Sequence, residues 1–170
     1  MSGGLPGKVI GGWQVSGILT MLTGTPFYIS ANGGALNTPG ETQTANQVAP
    51  VDILHGMPGQ PWFSTASFTQ PVGGGVFGTS GRNILSGPGM FRIDLSAFKT
   101  FQFTERFKVE LRAESFDLTN TPAFSNPNNT CCSSNNASFG MIQGTVNSGS
   151  GVNGIGQFGR AIQLAGKLTF

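Results

Sequence analysis

The stretch Phe91–Leu118, FRIDLSAFKTFQFTERFKVELRAESFDL, decides how the rest of the chain is read. It holds ten of the sixteen charged residues: Arg92, Asp94, Lys99, Glu105, Arg106, Lys108, Glu110, Arg112, Glu114 and Asp117. At a period of two, Phe91, Ile93, Leu95 and Ala97 share one face while Arg92, Asp94, Ser96 and Thr100 share the other. After a break, Phe107, Val109, Leu111 and Ala113 alternate with Lys108, Glu110, Arg112 and Glu114. A helix would set Glu110 against Glu114 and Lys108 against Arg112, two repulsive pairs at i,i+4. A strand turns the same residues into a row of alternating sign, so strands are expected near 91–103 and 107–118.

Thr104, Glu105 and Arg106 interrupt the alternation and read as a hairpin loop. Directly opposed residues point to the same side, and odd positions are apolar on both strands, so opposed numbers must sum to an even value. A three-residue loop satisfies this, with Phe103 facing Phe107 and Ala97 facing Ala113. The expected ribbon has one apolar face and one charged face. A soluble sandwich with a wet outer side shows the same alternation, so context has to choose.

Only 9% of the 170 residues are charged, against about 25% in ordinary soluble domains, while Gly reaches 27 residues. A net charge of +2, with Lys and Arg interleaved among acids, does not read as a nucleic-acid surface. The apolar runs fall short of the roughly 18 residues of a membrane-spanning helix. The amino-terminal MSGGLPGKVIGGW lacks the basic region, apolar core and cleavage site of a signal peptide. Adjacent Cys131 and Cys132, with the single His55, are too few for a metal site, and no cofactor motif stands out.

Two further alternating segments flank the hairpin. Near 9–22, Trp13, Val15, Gly17, Leu19 and Met21 oppose Gln14, Ser16, Ile18 and Thr20; near 160–170, Ile162, Leu164, Gly166, Leu168 and Phe170 oppose Gln163, Ala165, Lys167 and Thr169. Loops are expected at 23–90 and 119–159. The first is rich in Gly, Pro, Thr, Asn and Gln, with apolar islands such as Pro61-Trp62-Phe63 and Val76-Phe77, and a structureless loop of that length is unusual in a compact domain. The second has no ionisable Asp, Glu, Lys, Arg or His. Its GxGxxG spacing at Gly149–Gly154 has no strand before it or helix after it, so it does not read as a dinucleotide fingerprint. The glycosylation sequons at Asn128 and Asn136 are cheap in such a composition.

The predicted fold is all-β: an antiparallel meander of about four long strands with one short turn and two long outer loops, part of a larger transmembrane β-barrel. Short turns on one side, long loops on the other, and alternating strands near 10 residues are the marks of an outer-membrane barrel. On that reading Lys108, Glu110, Arg112 and Glu114 form a lumen-facing charge row. Phe101, Phe103, Phe107 and Phe170 gather near the turn, where an aromatic girdle is expected. Lys99 breaks the pattern on the apolar face; either it snorkels towards the boundary or a bulge shifts the phase.

The order GGWQVSGILT, TGTPFYIS, WFSTASF, FGTSGRNILSGPGMFRIDLSAFKTF, TERFKVELRAESFDLTNTPAF and IQLAGKLTF resembles the carboxy-terminal end of TonB-dependent outer-membrane receptors. The nearest kind is the large Oar-like type with a carboxypeptidase-regulatory-like amino-terminal domain, encoded by acidobacteria. The resemblance implies energised uptake of a bulky nutrient, such as a siderophore, glycan or peptide, through a barrel of about 22 strands in the outer membrane of a Gram-negative bacterium. It further implies contact with outer-membrane lipid, a TonB complex engaged through an amino-terminal part, and a barrel-assembly signal for the assembly machinery at Ile162, Leu164, Leu168 and Phe170. These 170 residues hold neither a TonB box nor a plug, and four strands cannot close a barrel, so they are expected to be the last strands and two outer loops of a longer polypeptide.

The rival is a secreted adhesive or filament-forming β-sheet protein, suggested by Gly, Asn and Ser loops and open sheet edges. A hydrolase is disfavoured: His55 has no nucleophile motif beside it, and Glu110 and Glu114 carry Lys108 and Arg112 as neighbours, which reads as an ion row.

Overall fold

The computed structural model of the chain describes residues 10–36, 42–132, 136–146 and 159–170. Val9, the expected first residue of the first strand, and the GxGxxG match at Gly149–Gly154 lie outside them. The strands are β1 (Trp13–Leu22), β2 (Pro26–Phe27), β3 (Asn46–Gln47), β4 (Phe68–Thr69), β5 (Leu85–Ser86), β6 (Met90–Gln102), β7 (Lys108–Phe116) and β8 (Ala161–Thr169). The four long ones form one antiparallel sheet in the order β1-β6-β7-β8. The short ones pair as β2 with β5 and β3 with β4. No helix among the described residues is long and apolar enough to cross a membrane.

The hairpin has the expected register. Ala97 opposes Ala113, pairing runs from Leu95 with Ser115 to Gln102 with Lys108, and Phe103 N–H donates to the Phe107 carbonyl at 3.0 Å. Thr104 closes the turn by accepting from Phe107 N–H on its hydroxyl, 2.9 Å. Between β7 and β8 the parity changes: Val109 opposes Leu168, Leu111 opposes Gly166 and Ala113 opposes Leu164. This offset keeps apolar with apolar, because the greasy positions of β8 are even-numbered.

β7 stops at Phe116 because Asp117 turns to φ 51°, outside extended space. Its N–H donates to Asp94 Oδ1 at 2.8 Å, Leu118 N–H donates to the Ile93 carbonyl at 2.7 Å, and its own carboxylate accepts from Thr121 N–H at 3.2 Å. An Asp side chain that captures a backbone donor a few residues on is a turn-maker.

The chain divides into two compact units: residues 1–21, 91–122 and 149–170, which hold the long sheet, and residues 22–90 and 123–148. The second unit is more than loop. It has its own core of Phe27, Ile29, Ala45, Phe63, Phe68, Leu85 and Cys131, with Trp62 and Phe139 packed against it. The apolar islands of the sequence are this core: the Phe63 ring lies 6.0 Å from Phe27, 5.9 Å from Phe68 and 5.5 Å from Phe139. Segments about 100 residues apart are stitched together, as where Cys131 N–H donates to the Ser30 carbonyl at 2.7 Å and Asn129 Nδ2 to the Tyr28 carbonyl at 2.9 Å. Glycine permits close backbone crossing, since a Cβ on Gly24 would collide with the Gly87 carbonyl and one on Gly78 with that of Thr44. Cys131 is joined to Cys132. The sequon amides work inside the unit: Asn128 Nδ2 donates to Ser138 Oγ at 2.8 Å and Asn136 Nδ2 to the Thr130 carbonyl at 2.5 Å.

Candidate functional surface: an apolar sheet face backed by an ion row

The two faces of the long sheet follow from strand alternation and the two registers. One carries Leu95, Ala97, Phe101, Val109, Leu111, Ala113, Ile162, Leu164 and Leu168. Among the described residues of this unit no second layer packs on it: Leu111, Leu164 and Leu168 are exposed, as are Val15, Leu19 and Met21 of β1. A soluble sheet must bury such a face to fold in water. Removing it from water therefore needs something outside this unit.

On the other face Lys108, Glu110, Arg112 and Glu114 stand in one row. Arg112 reaches Glu110 at 3.4 Å and Glu114 at 3.6 Å, so both carboxylates serve one guanidinium. Lys167 of β8 stands opposite Glu110, and Arg92 binds Asp94 at 2.9 Å on the same face of β6. With Lys108 and Arg112 set against Glu110 and Glu114, the row carries no net charge. The sequence reading missed Phe98, whose even number puts it among the charges. The Arg112 guanidinium lies over its ring, 5.3 Å from the centroid, a stacking contact that Arg favours. The spacing was available, since Phe98 interrupts an otherwise polar row.

Lys99 resolves the exception on the apolar face. The β6–β7 register runs unbroken from Leu95 to Gln102, so no bulge shifts the phase there. Instead the side chain is buried, 3% exposed. Its Nζ donates to the Gly11 carbonyl at 2.6 Å and lies 4.9 Å from the Phe101 ring centroid and 5.6 Å from that of Trp13. The charge is thus screened by a carbonyl and two aromatic faces while its stem stays in the apolar layer. Lys99→Met keeps the stem and removes these contacts. Urea unfolding in detergent should then lose about 1–3 kcal/mol, the worth of a charge-assisted hydrogen bond together with the lost ring contacts; an unchanged midpoint would refute the pinning role.

The Phe residues cluster at the hairpin end. Phe103 and Phe107 have ring centroids 5.8 Å apart, and one further step of the β7–β8 register, from Lys108 opposite Thr169, sets Phe170 opposite Phe107. Ile162, Leu164 and Leu168 lie along β8 on the apolar face, exposed, and Phe170 follows them. His55 lies in the second unit, edge-on to Trp62 at 5.0 Å.

A family model described as an outer membrane beta barrel domain matches residues 1–163. No curated protein and no solved structure matches the chain significantly.

Proposed function

The chain belongs to the outer membrane β-barrel domain family, and on that premise we propose that it supplies strands and outer loops to a TonB-dependent receptor that takes up a bulky nutrient across the outer membrane of a Gram-negative bacterium. The observation that carries the reading is the sheet with a bare apolar face on one side and a self-neutralised ion row on the other. In a barrel the first meets lipid and the second a watery lumen. The charge row is then structural lining, and the chain performs no catalysis.

Connectivity supports the sidedness. β6 and β7 join through five residues, 103–107, while the connections from β1 to β6 and from β7 to β8 run through the folded second unit. Short turns face the periplasm and long connections the exterior in such barrels. The sheet edges at β1 and β8 are closed by further strands, because an open edge in hydrocarbon leaves backbone groups unsatisfied. Ile162, Leu164, Leu168 and Phe170 are the recognition face for the assembly machinery, and Phe101, Phe103, Phe107 and Phe170 the periplasmic girdle.

Two measurements separate this from an adhesive sheet protein. The full polypeptide, extracted from membranes, should need detergent to stay dispersed and should migrate faster in gels unheated than boiled. It should also be retained by the immobilised carboxy-terminal domain of TonB. A product that stays soluble in plain buffer sinks the barrel, and a heat-modifiable barrel that TonB does not retain sinks the energised receptor.

A further inference from the structure

The second unit carries a cleft of about 560 Å³ whose walls include Tyr28, Thr44, Phe77, Ser80, Arg82 and Asn83. Backbone-directed bonds hold these walls in place. Gln43, itself buried, donates from Nε2 to the Val76 carbonyl at 2.8 Å and accepts from Gly78 N–H on Oε1 at 3.1 Å. Thr44 Oγ1 donates to the Gly78 carbonyl at 3.2 Å, Thr79 N–H to Asn46 Oδ1 at 3.1 Å, and Ser80 N–H to the Ala45 carbonyl at 2.9 Å. Such a pre-set wall loses little freedom when a ligand binds.

Three features of the lining point to one ligand chemistry. Arg82 is the sole Lys or Arg between Leu22 and Met90, is exposed, and pairs with no carboxylate among the described residues. Ser80, in the same wall, is buried, and its Oγ has no hydrogen-bond partner among the described residues, so hydrogen-bonding capacity there is left unfilled. Tyr28 and Phe77 share the lining with Thr44, Ser80 and Asn83, so aromatic rings and short polar side chains line one cleft. Aromatic faces suit the C–H face of a saturated ring, hydroxyls and amides suit ring hydroxyls, and a guanidinium suits a carboxylate through two parallel bonds.

We propose that this cleft binds a carboxylated sugar, a uronic-acid unit of an acidic oligosaccharide, with Arg82 on the carboxylate and Tyr28 and Phe77 against the ring. It deepens the receptor reading and rests on it only in making the cleft the first capture point. Binding at equilibrium needs no energising partner, so failure to bind TonB and failure to bind sugar are separate results.

The test is calorimetry on the full polypeptide in detergent micelles with trigalacturonate, its neutral galactose counterpart and cyclohexanecarboxylate. Trigalacturonate should bind at least about ten-fold more tightly than either of the others, the worth of one charge-assisted contact or of a set of hydroxyl contacts. Arg82→Gln should erase the preference for acidic over neutral sugar while heat-modifiable migration is kept, and Phe77→Ala should weaken both sugars alike. No binding of trigalacturonate at millimolar concentration, an unchanged preference in Arg82→Gln, or cyclohexanecarboxylate binding as tightly as the sugar overturns the proposal.

Discussion

Refolded into liposomes as part of the full polypeptide, Leu164→Arg is expected to lose about 2–4 kcal/mol of stability, roughly a 30- to 700-fold shift in the folding equilibrium, whereas Gln163→Arg one residue away is nearly neutral. The two positions are neighbours on β8 but point to opposite faces. Leu164 opposes Ala113 on the apolar face in the middle of the strand, and Gln163 opposes Glu114 on the charged face, where a new cation meets a carboxylate. Leu164 is 77% exposed, so in a water-soluble sheet an arginine there costs little, within about 0.5 kcal/mol. Only hydrocarbon against that face makes the substitution expensive. Urea titration read by the gel shift between folded and unfolded forms measures both variants, and coincident midpoints would remove the membrane from the account.

That contrast was legible in the sequence because alternation is a local signal. Val109 to Glu114 reads apolar, charged, apolar, charged without a gap, and parity then fixes the hairpin register with Ala97 against Ala113. The same logic marked Lys99 as an exception but not how it is tolerated, since the Gly11 carbonyl that receives it lies 88 positions away in the chain. The second unit was illegible for a related reason. Its pairings join Ser30 to Thr130 and Pro61 to Met141, and its strands are two residues long, so no periodicity accumulates. Pro61-Trp62-Phe63 stood out as an apolar island, yet nothing nearby names Phe139 as its partner. The stop at Asp117 fell between the two cases: Asp117 and Asn120 are turn residues in the sequence, but the Asp94 carboxylate that receives the Asp117 N–H comes from the adjoining strand.

Phe63→Ala is expected to unfold the second unit while leaving the barrel strands intact. Phe63 is 0% exposed and touches three other Phe rings, so its truncation costs about 3–5 kcal/mol. A cluster of seven buried residues among the described residues holds no large reserve against that loss. The long sheet draws its stability from its own ladder of strand pairs and, in the proposed setting, from lipid, neither of which involves this ring. Local opening without global unfolding is the expected consequence. Arg82 makes it measurable, being the one trypsin site between Leu22 and Met90, with none between Ala123 and Ser148. Arg82 is itself exposed, but Ser80 N–H on the Ala45 carbonyl and Leu85 paired with Phe27 tie down the chain on either side of it; fitting that stretch into a protease needs local opening, so the cleavage rate follows the open population and should rise roughly 100-fold in the variant, with heat-modifiable migration unchanged. If Phe63→Ala abolished the gel shift as well, the strands would depend on the loop core for folding; if cleavage did not accelerate, the aromatic cluster would not hold the unit closed.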